Sequence, residues 1–474
     1  MSNRLPHNPS AEQMLAQLSA IKKIQRAEGP VSAATRQDRL QRAMNLFINH
    51  VDEFTEASSK DFGGRPPVIG LQLDGHGSVA ALKYNKKNLA KWMKPSKRAT
   101  ALPFNLFGGS TEVRYQPKGV IGIAGTWNAS LFTVFAPLAG VLAAGNRAMI
   151  KPSDLSPHMG EWLQKRLPEY FDPMEVSLVT GDMDVSQQFT ALPFDHLVYT
   201  GGGSIAKHIM RAAAENLVPL TLELGGKSPA IVSADVPLKD AAERIAFGKT
   251  FNAGQTCVAP DYVLVPEDRV EGFVEAYSKA VRGFYPTLVD NPDYTAIINE
   301  RQLARLNAYA KDATDKGATL IPLYEQGQAR RMAHSLLLNV SDDMTVMQDE
   351  IFGPLLPIVP YRGLDQAFAY INQRPRPLAL YYFGYNKGEQ ARVLHETHSG
   401  GVCLNDTLLH VAQDDMPFGG IGPSGMGHYH GHEGFLTFSK AKGVLVKQRL
   451  NAAKLIYPPY GKSIQKLIQK LFIR

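Results

Sequence analysis

Val120-Ile-Gly-Ile123, then Leu131-Phe-Thr-Val-Phe-Ala-Pro-Leu-Ala-Gly-Val-Leu-Ala-Ala144, then Ala148-Met-Ile150: two short apolar runs frame one apolar run of helical length. The short runs are bounded by Gly, Pro or Asn and read as buried strands, because a strand covered on both faces has no polar alternation to show. Strand, helix, strand in that order is the unit that lays strands parallel with a helix crossing between them. Working outward, Met174–Val179 and His196–Tyr199 read as two more strands of the same set. Residues 223–415 repeat the texture, with strands near Ala230–Val232, Tyr262–Val265, Leu355–Val359 and Val402–Leu404 and long helices between them. The expected fold class is α/β, with two parallel-sheet domains in series.

Residues 10–100 read as mostly helical. Ala11 to Ala27 carries Met14, Leu15, Leu18, Ile21 and Ile24 at helical spacing. Arg39 to Ala57 does the same with Leu40, Met44, Phe47, Ile48, Val51 and Phe54. Pro95 ends the helix that carries Trp92 and Met93. Downstream, the Gly- and His-rich region 417–434 reads as loop and 436–447 as a strand. There is no internal repeat.

The chain has 474 residues, 44% hydrophobic and 20% charged, enough to bury several cores without disulfides or metals. Its two cysteines, Cys257 and Cys403, form no disulfide framework and suit a reducing compartment. The polar start MSNRLPHNPSAEQ lacks the apolar core of a secretory signal, and no apolar run approaches the ~20 residues that span a bilayer. The expected location is the cytoplasm. The net charge of +7 gathers in Lys83, Lys86, Lys87, Lys91, Lys94, Lys97 and Arg98, and again in Lys462, Lys466, Lys470 and Arg474. These read as solvated faces that also attract anionic ligands, a dinucleotide among them. No zinc-finger or RRM pattern accompanies them, which argues against nucleic acid as a partner.

Four segments carry side chains suited to chemistry. Phe251-Asn-Ala-Gly-Gln-Thr-Cys257 places a glycine just before a thiol, as a tight turn presenting a nucleophile would, with backbone N–H groups at hand for an oxyanion. A small buried cysteine fits the same residues; Cys403, in Gly401-Val-Cys-Leu404, reads as core. Leu222-Glu-Leu-Gly-Gly-Lys-Ser-Pro229 sets Glu223 among apolar residues, where a raised pKa suits a general base; a structural ion pair fits equally. Its Gly-Gly-Lys-Ser is no phosphate loop, since position 221 is Thr. Asp195-His-Leu-Val-Tyr-Thr-Gly-Gly-Gly-Ser-Ile-Ala206 is a strand, a glycine turn and a helix, the order that offers N–H groups to phosphate. Thr126-Trp-Asn128 puts an amide just past the Val120–Ile123 strand, where parallel sheets bind ligands.

Taken in order, these segments resemble the aldehyde dehydrogenase family over nearly the whole chain. Pro117-Lys-Gly-Val120, Ala144-Gly-Asn, Ile150-Lys-Pro-Ser-Asp154, Glu350-Ile-Phe-Gly-Pro354 and Pro417-Phe-Gly-Gly420 extend the match. The ending, Gly427-His-Tyr-His-Gly431 through Tyr457-Pro-Pro-Tyr460, is similar to the class 3 branch. Within it, Gly248 to Tyr262, Arg211 to Pro219 and Asp414-Asp-Met-Pro417 resemble bacterial coniferyl aldehyde dehydrogenases. The resemblance implies that Cys257 attacks an aldehyde and that Asn128 holds the oxyanion. It implies that NAD or NADP takes the hydride and that Glu223 or Glu350 activates water to release the acid. It assigns Trp127, Lys151, Ser153, Asp154, Gly201, Gly202, Ser204, Glu350 and Phe352 to the cofactor. It implies a homodimer, with residues 1–97 and 116–222 binding the dinucleotide, 223–412 carrying the nucleophile, and 98–115 with 413–474 as bridging segments and tail.

Three departures from the family pattern bear on specificity. Ala129-Ser130 stand where relatives carry an aromatic residue and Pro, which implies a wider or more polar substrate tunnel. Gly201-Gly-Gly-Ser204 replaces a Ser-Thr pair after the first glycine, and Ala206 a common glycine. Asp154 stands for a common Glu, leaving room for NADP beside NAD. His428, His430 and His432 read as packing residues, so no metal is expected. The tail from Ile464, with Leu467, Ile468, Leu471 and Phe472 on one face, reads as an amphipathic helix against a partner subunit or the tunnel mouth, ahead of a membrane surface. The competing readings are an aliphatic aldehyde dehydrogenase, an acylating enzyme that passes its thioester to coenzyme A, and a non-catalytic relative. Glu223 argues against the acylating enzyme, and Cys257 against the non-catalytic relative.

Overall fold

The computed structural model describes residues 8–102, 104–325, 329–449 and 451–473. The first seven residues of the polar N-terminus, Arg474 of the basic tail and the side chains of Leu471 and Phe472 lie outside the described residues.

Val120–Ala124 and Arg147–Lys151 pair in parallel, and the helix Phe132–Ala143 crosses between them. Both strands are buried along their whole length, which is why neither alternates. They lie inside a six-stranded sheet ordered Val176–Leu178, Arg147–Lys151, Val120–Ala124, His196–Thr200, Leu220–Glu223 and Gly425–Met426, with only the last strand antiparallel. The crossover helix is buried from Thr133 to Ala143, because Ala33–Ile48 and Gly77–Trp92 cover it from outside. On the sheet's other face, Met14, Leu18 and Ile21 of the helix Ala11–Glu28 share a core with Val120, Met149 and Phe189.

A seven-stranded sheet follows, ordered Thr319–Pro322, Ser335–Leu338, Leu355–Tyr361, Tyr262–Pro266, Pro229–Val232, Ala379–Phe383 and Gly401–Leu404. It is parallel except for its first pair. A small antiparallel sheet joins Ser96–Arg98, Ser110–Pro117 and Ser439–Val446. The α/β class and the paired parallel sheets therefore hold.

Two expectations are corrected. The run Arg39 to Ala57 is not one helix but the ends of two, Ala33–Ile48 and Val51–Phe62, broken at Asn49-His50. The apolar phase continues across the break because Phe47 and Phe54 meet in one core, rings 5.8 Å apart; periodicity reports the shared core and not the interruption. Residues 417–434 are not all loop. Gly425–Met426 adds to the six-stranded sheet beside Leu222–Glu223, and the helix Gly431–Thr437 begins inside the region.

The strand directions define one junction. Asn128, Lys151, Gly201 and Glu223 stand at or just beyond the C-terminal ends of four adjacent parallel strands. Gly225-Gly226, Cys257 and Glu350 precede three adjacent parallel strands of the other sheet, Pro229–Val232, Tyr262–Pro266 and Leu355–Tyr361. The C-terminal edge of one sheet thus meets the N-terminal edge of the other.

Phe135 is fully buried in the crossover helix, its ring 4.8 Å from Phe47. Phe135→Ala is expected to lower stability by about 3–5 kcal/mol, seen as an earlier urea midpoint.

Candidate active site

The nucleophile turn is tighter than a single glycine implies. Asn252, Ala253 and Gly254 all take left-handed backbone, φ 52°, 53° and 74°. A side chain at Gly254 would put Cβ 2.4 Å from the Gly353 carbonyl oxygen, so only glycine fits there. Asn252 and Gln255 lock the turn. The Asn252 amide donates to the Gln255 carbonyl at 3.1 Å, and the Gln255 amide donates back at 3.0 Å. Gln255 Oε1 also accepts from Ile298 N–H at 3.0 Å. Cys257, half-buried, emerges from this clamp.

The Cys257 thiol lies beside the carboxyl of Glu223, which is 2% exposed and has no partner at Oε1. Burial, reinforced by Glu350, pushes Glu223 up to about 8. Burial and the same two carboxylates push the thiol well above its ordinary value. Glu350 also rises to about 8, by burial and the nearby Asp261. It lies against Gly225-Gly226 and fills the space that a Cβ on Gly225 would occupy. Lys227 pairs with Asp261 and donates to the Val346 and Asp349 carbonyls at 2.8 and 3.0 Å, while Asp261 accepts Ile351 N–H at 2.9 Å. The Gly225-Gly226 and Glu350 segments are thereby tied together.

Asn128 is buried with no partner for its amide oxygen. Trp127 beside it packs edge-on to Phe352, rings 5.2 Å apart, and Phe352 is itself held at φ 49°. A bulky side chain in that region carries strain, of the kind that functional loops store. Tyr429 is fully buried, and burial, reinforced by Glu223 and Cys257 nearby, pushes its phenol well above the ordinary value.

The remaining positions singled out for a cofactor fall in two places. Ser153 and Asp154 line a cavity of about 320 Å³ with Gly181 and Asp182. Lys151 lies behind it, buried, donating to the Pro152 and Gly181 carbonyls at 3.0 and 3.2 Å. Gly201, Gly202 and Ser204 lead into the helix Gly203–Glu215, which has no side-chain cap. The N-cap residue of that helix, Gly202, is exposed.

Ser130 corrects the expectation drawn from Ala129-Ser130. Its hydroxyl is buried, donating to the Trp127 carbonyl at 3.0 Å and meeting the Ser156 hydroxyl at 2.9 Å, so it adds no polarity to a tunnel. The three histidines part company. His430 stacks on Phe418, His432 stacks on Phe435, and His428 is exposed. Asp261, Lys227 and Tyr429 escaped the reading of the sequence. Asp261, four residues past Cys257, and Lys227, two past Gly225, were within reach of it; Tyr429 is recognisable only once the C-terminal region folds back.

The model of the aldehyde dehydrogenase family matches residues 6–444. The chain belongs to the aldehyde dehydrogenase family. It is an oxidoreductase acting on aldehydes. This family member is 60% identical to a probable coniferyl aldehyde dehydrogenase of Pseudomonas aeruginosa, over 98% of each chain. The substrate-bound state of Staphylococcus aureus AldH superposes with a TM-score of 0.90 at 36% identity, covering 98% of this chain and 99% of that one. The Mycobacterium tuberculosis aldehyde dehydrogenase complexed with NAD+ gives 0.83 at 27% identity, covering 94% and 92%.

A carboxyl whose folded pKa stands above its unfolded value keeps a proton that the unfolded chain has already released. Between about pH 4.5 and 8 the stability linked to Glu223 therefore falls as pH rises. Glu223→Gln, neutral throughout, is expected to melt higher than the wild type at pH 8, with the gap closing toward pH 5 in thermal scans.

Proposed function

We propose that this dehydrogenase oxidises an aromatic aldehyde of the coniferyl type to its carboxylic acid, with Cys257 as nucleophile and Glu223 as base. The observation that carries the reading is the Cys257 thiol set beside a buried Glu223 at the junction where Asn128 ends its own strand turn. As the sulfur attacks the aldehyde carbon, the thiol proton passes to the Glu223 carboxylate, since a thiol raised in pKa has to lose its proton during attack. The Asn128 amide and the Cys257 N–H stabilise the oxyanion of the thiohemiacetal. When bound, the nicotinamide accepts the hydride from that carbon, and a thioester on Cys257 remains. Glu223, having given its proton to solvent, takes one from water. The water oxygen attacks the thioester carbon, the C–S bond breaks, and the acid leaves with the thiol restored. Glu350, packed against Gly225-Gly226, is assigned to the nicotinamide ribose rather than to the proton.

NAD or NADP fits the residues present. The cavity at Ser153 and Asp154, backed by Lys151, suits the adenosine ribose, and the uncapped helix start at Gly202 suits the pyrophosphate. Trp127 and Phe352 would flank the nicotinamide end. The exposed Asp154 leaves room for a 2′-phosphate, so we assign both cofactors. On this reading residues 1–97 and 116–222 bind the dinucleotide, and residues 223–412 supply the nucleophile. Residues 98–115 and 413–474 form the bridging segments of a cytoplasmic homodimer. The free edge of the strand Ser439–Val446, with Leu445 and Val446 exposed, supports that pairing. Among the described residues no helix is long and apolar enough to cross a membrane. The amphipathic tail helix Ser463–Phe472 is assigned to the partner or the tunnel mouth.

Aldehyde oxidation is expected to fall by at least about a thousand-fold in Cys257→Ser. In the wild type kcat rises with pH through about 8, following ionisation of Glu223. Glu223→Gln loses that limb, whereas Glu350→Gln keeps it and raises the KM for cofactor. A limb that survives in Glu223→Gln would transfer the base role. Across coniferyl aldehyde, benzaldehyde and hexanal, kcat/KM is expected to be highest for coniferyl aldehyde, with either cofactor. A preference for hexanal, or strict NAD dependence, would overturn the corresponding assignment.

A further inference from the structure

We infer that Asp74, held by Arg65, is a positioning residue that sets the Asn128 amide in the oxyanion site; the inference rests on the functional reading above. Asp74 and Arg65 are 0% and 2% exposed, and Arg65 Nη1 stands 3.4 Å from Asp74 Oδ2. The other carboxyl oxygen, Oδ1, accepts the backbone N–H of Leu131 at 2.8 Å and of Phe132 at 3.3 Å. Those groups open the helix Phe132–Ala143, immediately after the loop that carries Trp127 and Asn128. Helix starts leave N–H groups without partners, and here a carboxylate from a different helix supplies the acceptor.

The sequence around Asp74 is shaped for that reach. Between the helices Pro67–Gly70 and Gly77–Trp92 the chain makes a π turn, Leu71–His76, an irregularity frequent at functional sites. Gly77 lets the turn close on the loop, since a Cβ there would lie 2.7 Å from the Phe132 ring. Arg65 braces the loop a second time. Its guanidinium lies 4.7 Å over the Phe62 ring, and Phe62 packs 6.1 Å from Trp127. A buried ion pair adds little net stability over apolar residues of the same size. Here it ties both flanks of one loop, at Trp127 and at Leu131, and leaves Asn128 between them.

Asp74→Asn keeps the shape and an acceptor oxygen but removes the charge. Measured on the full-length enzyme per Cys257 titrated with iodoacetamide, kcat is expected to drop about 10- to 100-fold, below the loss of a whole oxyanion donor. The KM for aldehyde and the alkylation rate should stay within about twofold, because neither depends on the oxyanion site. In an Asn128→Ala background Asp74→Asn should add nothing, since both substitutions act on the same group. Arg65→Lys, which keeps the charge but not the stack on Phe62, gives a smaller loss of kcat that also vanishes in Asn128→Ala. It carries the test alone if Asp74→Asn does not accumulate as folded protein. Unchanged kcat per titrated thiol, or losses that add to that of Asn128→Ala, would overturn the positioning role. A wild type that oxidises no aldehyde would overturn the functional reading itself, and this inference with it.

Discussion

The juxtaposition of the Cys257 thiol and the buried Glu223 carboxyl is the constraint around which the rest is arranged. Both groups are taken out of water, and neither ionises freely beside the other. In solution the two would separate and hydrate. Here each is carried by an element that cannot move: Glu223 ends a strand in the interior of the six-stranded sheet, and Cys257 leaves a turn locked by Asn252 and Gln255. Burial costs stability, and the two sheets supply it through apolar strands buried along their length.

Meeting of the sheet edges explains why so many special backbone positions collect in one place. Parallel strands end together, so their loops converge and compete for the same volume. Glycine at 225 leaves space for the Glu350 carboxylate, and glycine at 254 lets the nucleophile turn pass the Gly353 carbonyl. Two ion pairs cross this crowded layer, Lys227 with Asp261 and Arg65 with Asp74. Each pair ties a loop carrying a candidate functional group to a neighbouring segment.

Much of this was legible in the residues. The short apolar runs at 120, 148, 196, 230, 262, 355 and 402 became parallel strands; all but the half-buried edge strand at 402 are buried along most of their length, which leaves the same mark on each. Leu220–Glu223 and Ala379–Phe383 were not anticipated; the second lies in a stretch that reads as part of the long helices between strands. Periodicity also joined two N-terminal helices that share a core. The Ser130 hydroxyl was misjudged because composition reports polarity and not direction, and this one turns inward to Ser156.

By itself the sequence determined the α/β class, the order of the strands along the chain, and the residue types at Asn128, Glu223, Cys257 and Glu350. Local patterning and short-range spacing carry that information. Only the tertiary structure decided which of them meet, that Glu223 touches the thiol while Glu350 turns to Gly225-Gly226, and that Asp74 and Arg65 reach the Asn128 loop. Proximity between residues 34 positions or more apart depends on strand order and on the packing of one layer against another, and neither is written in any local run of side chains.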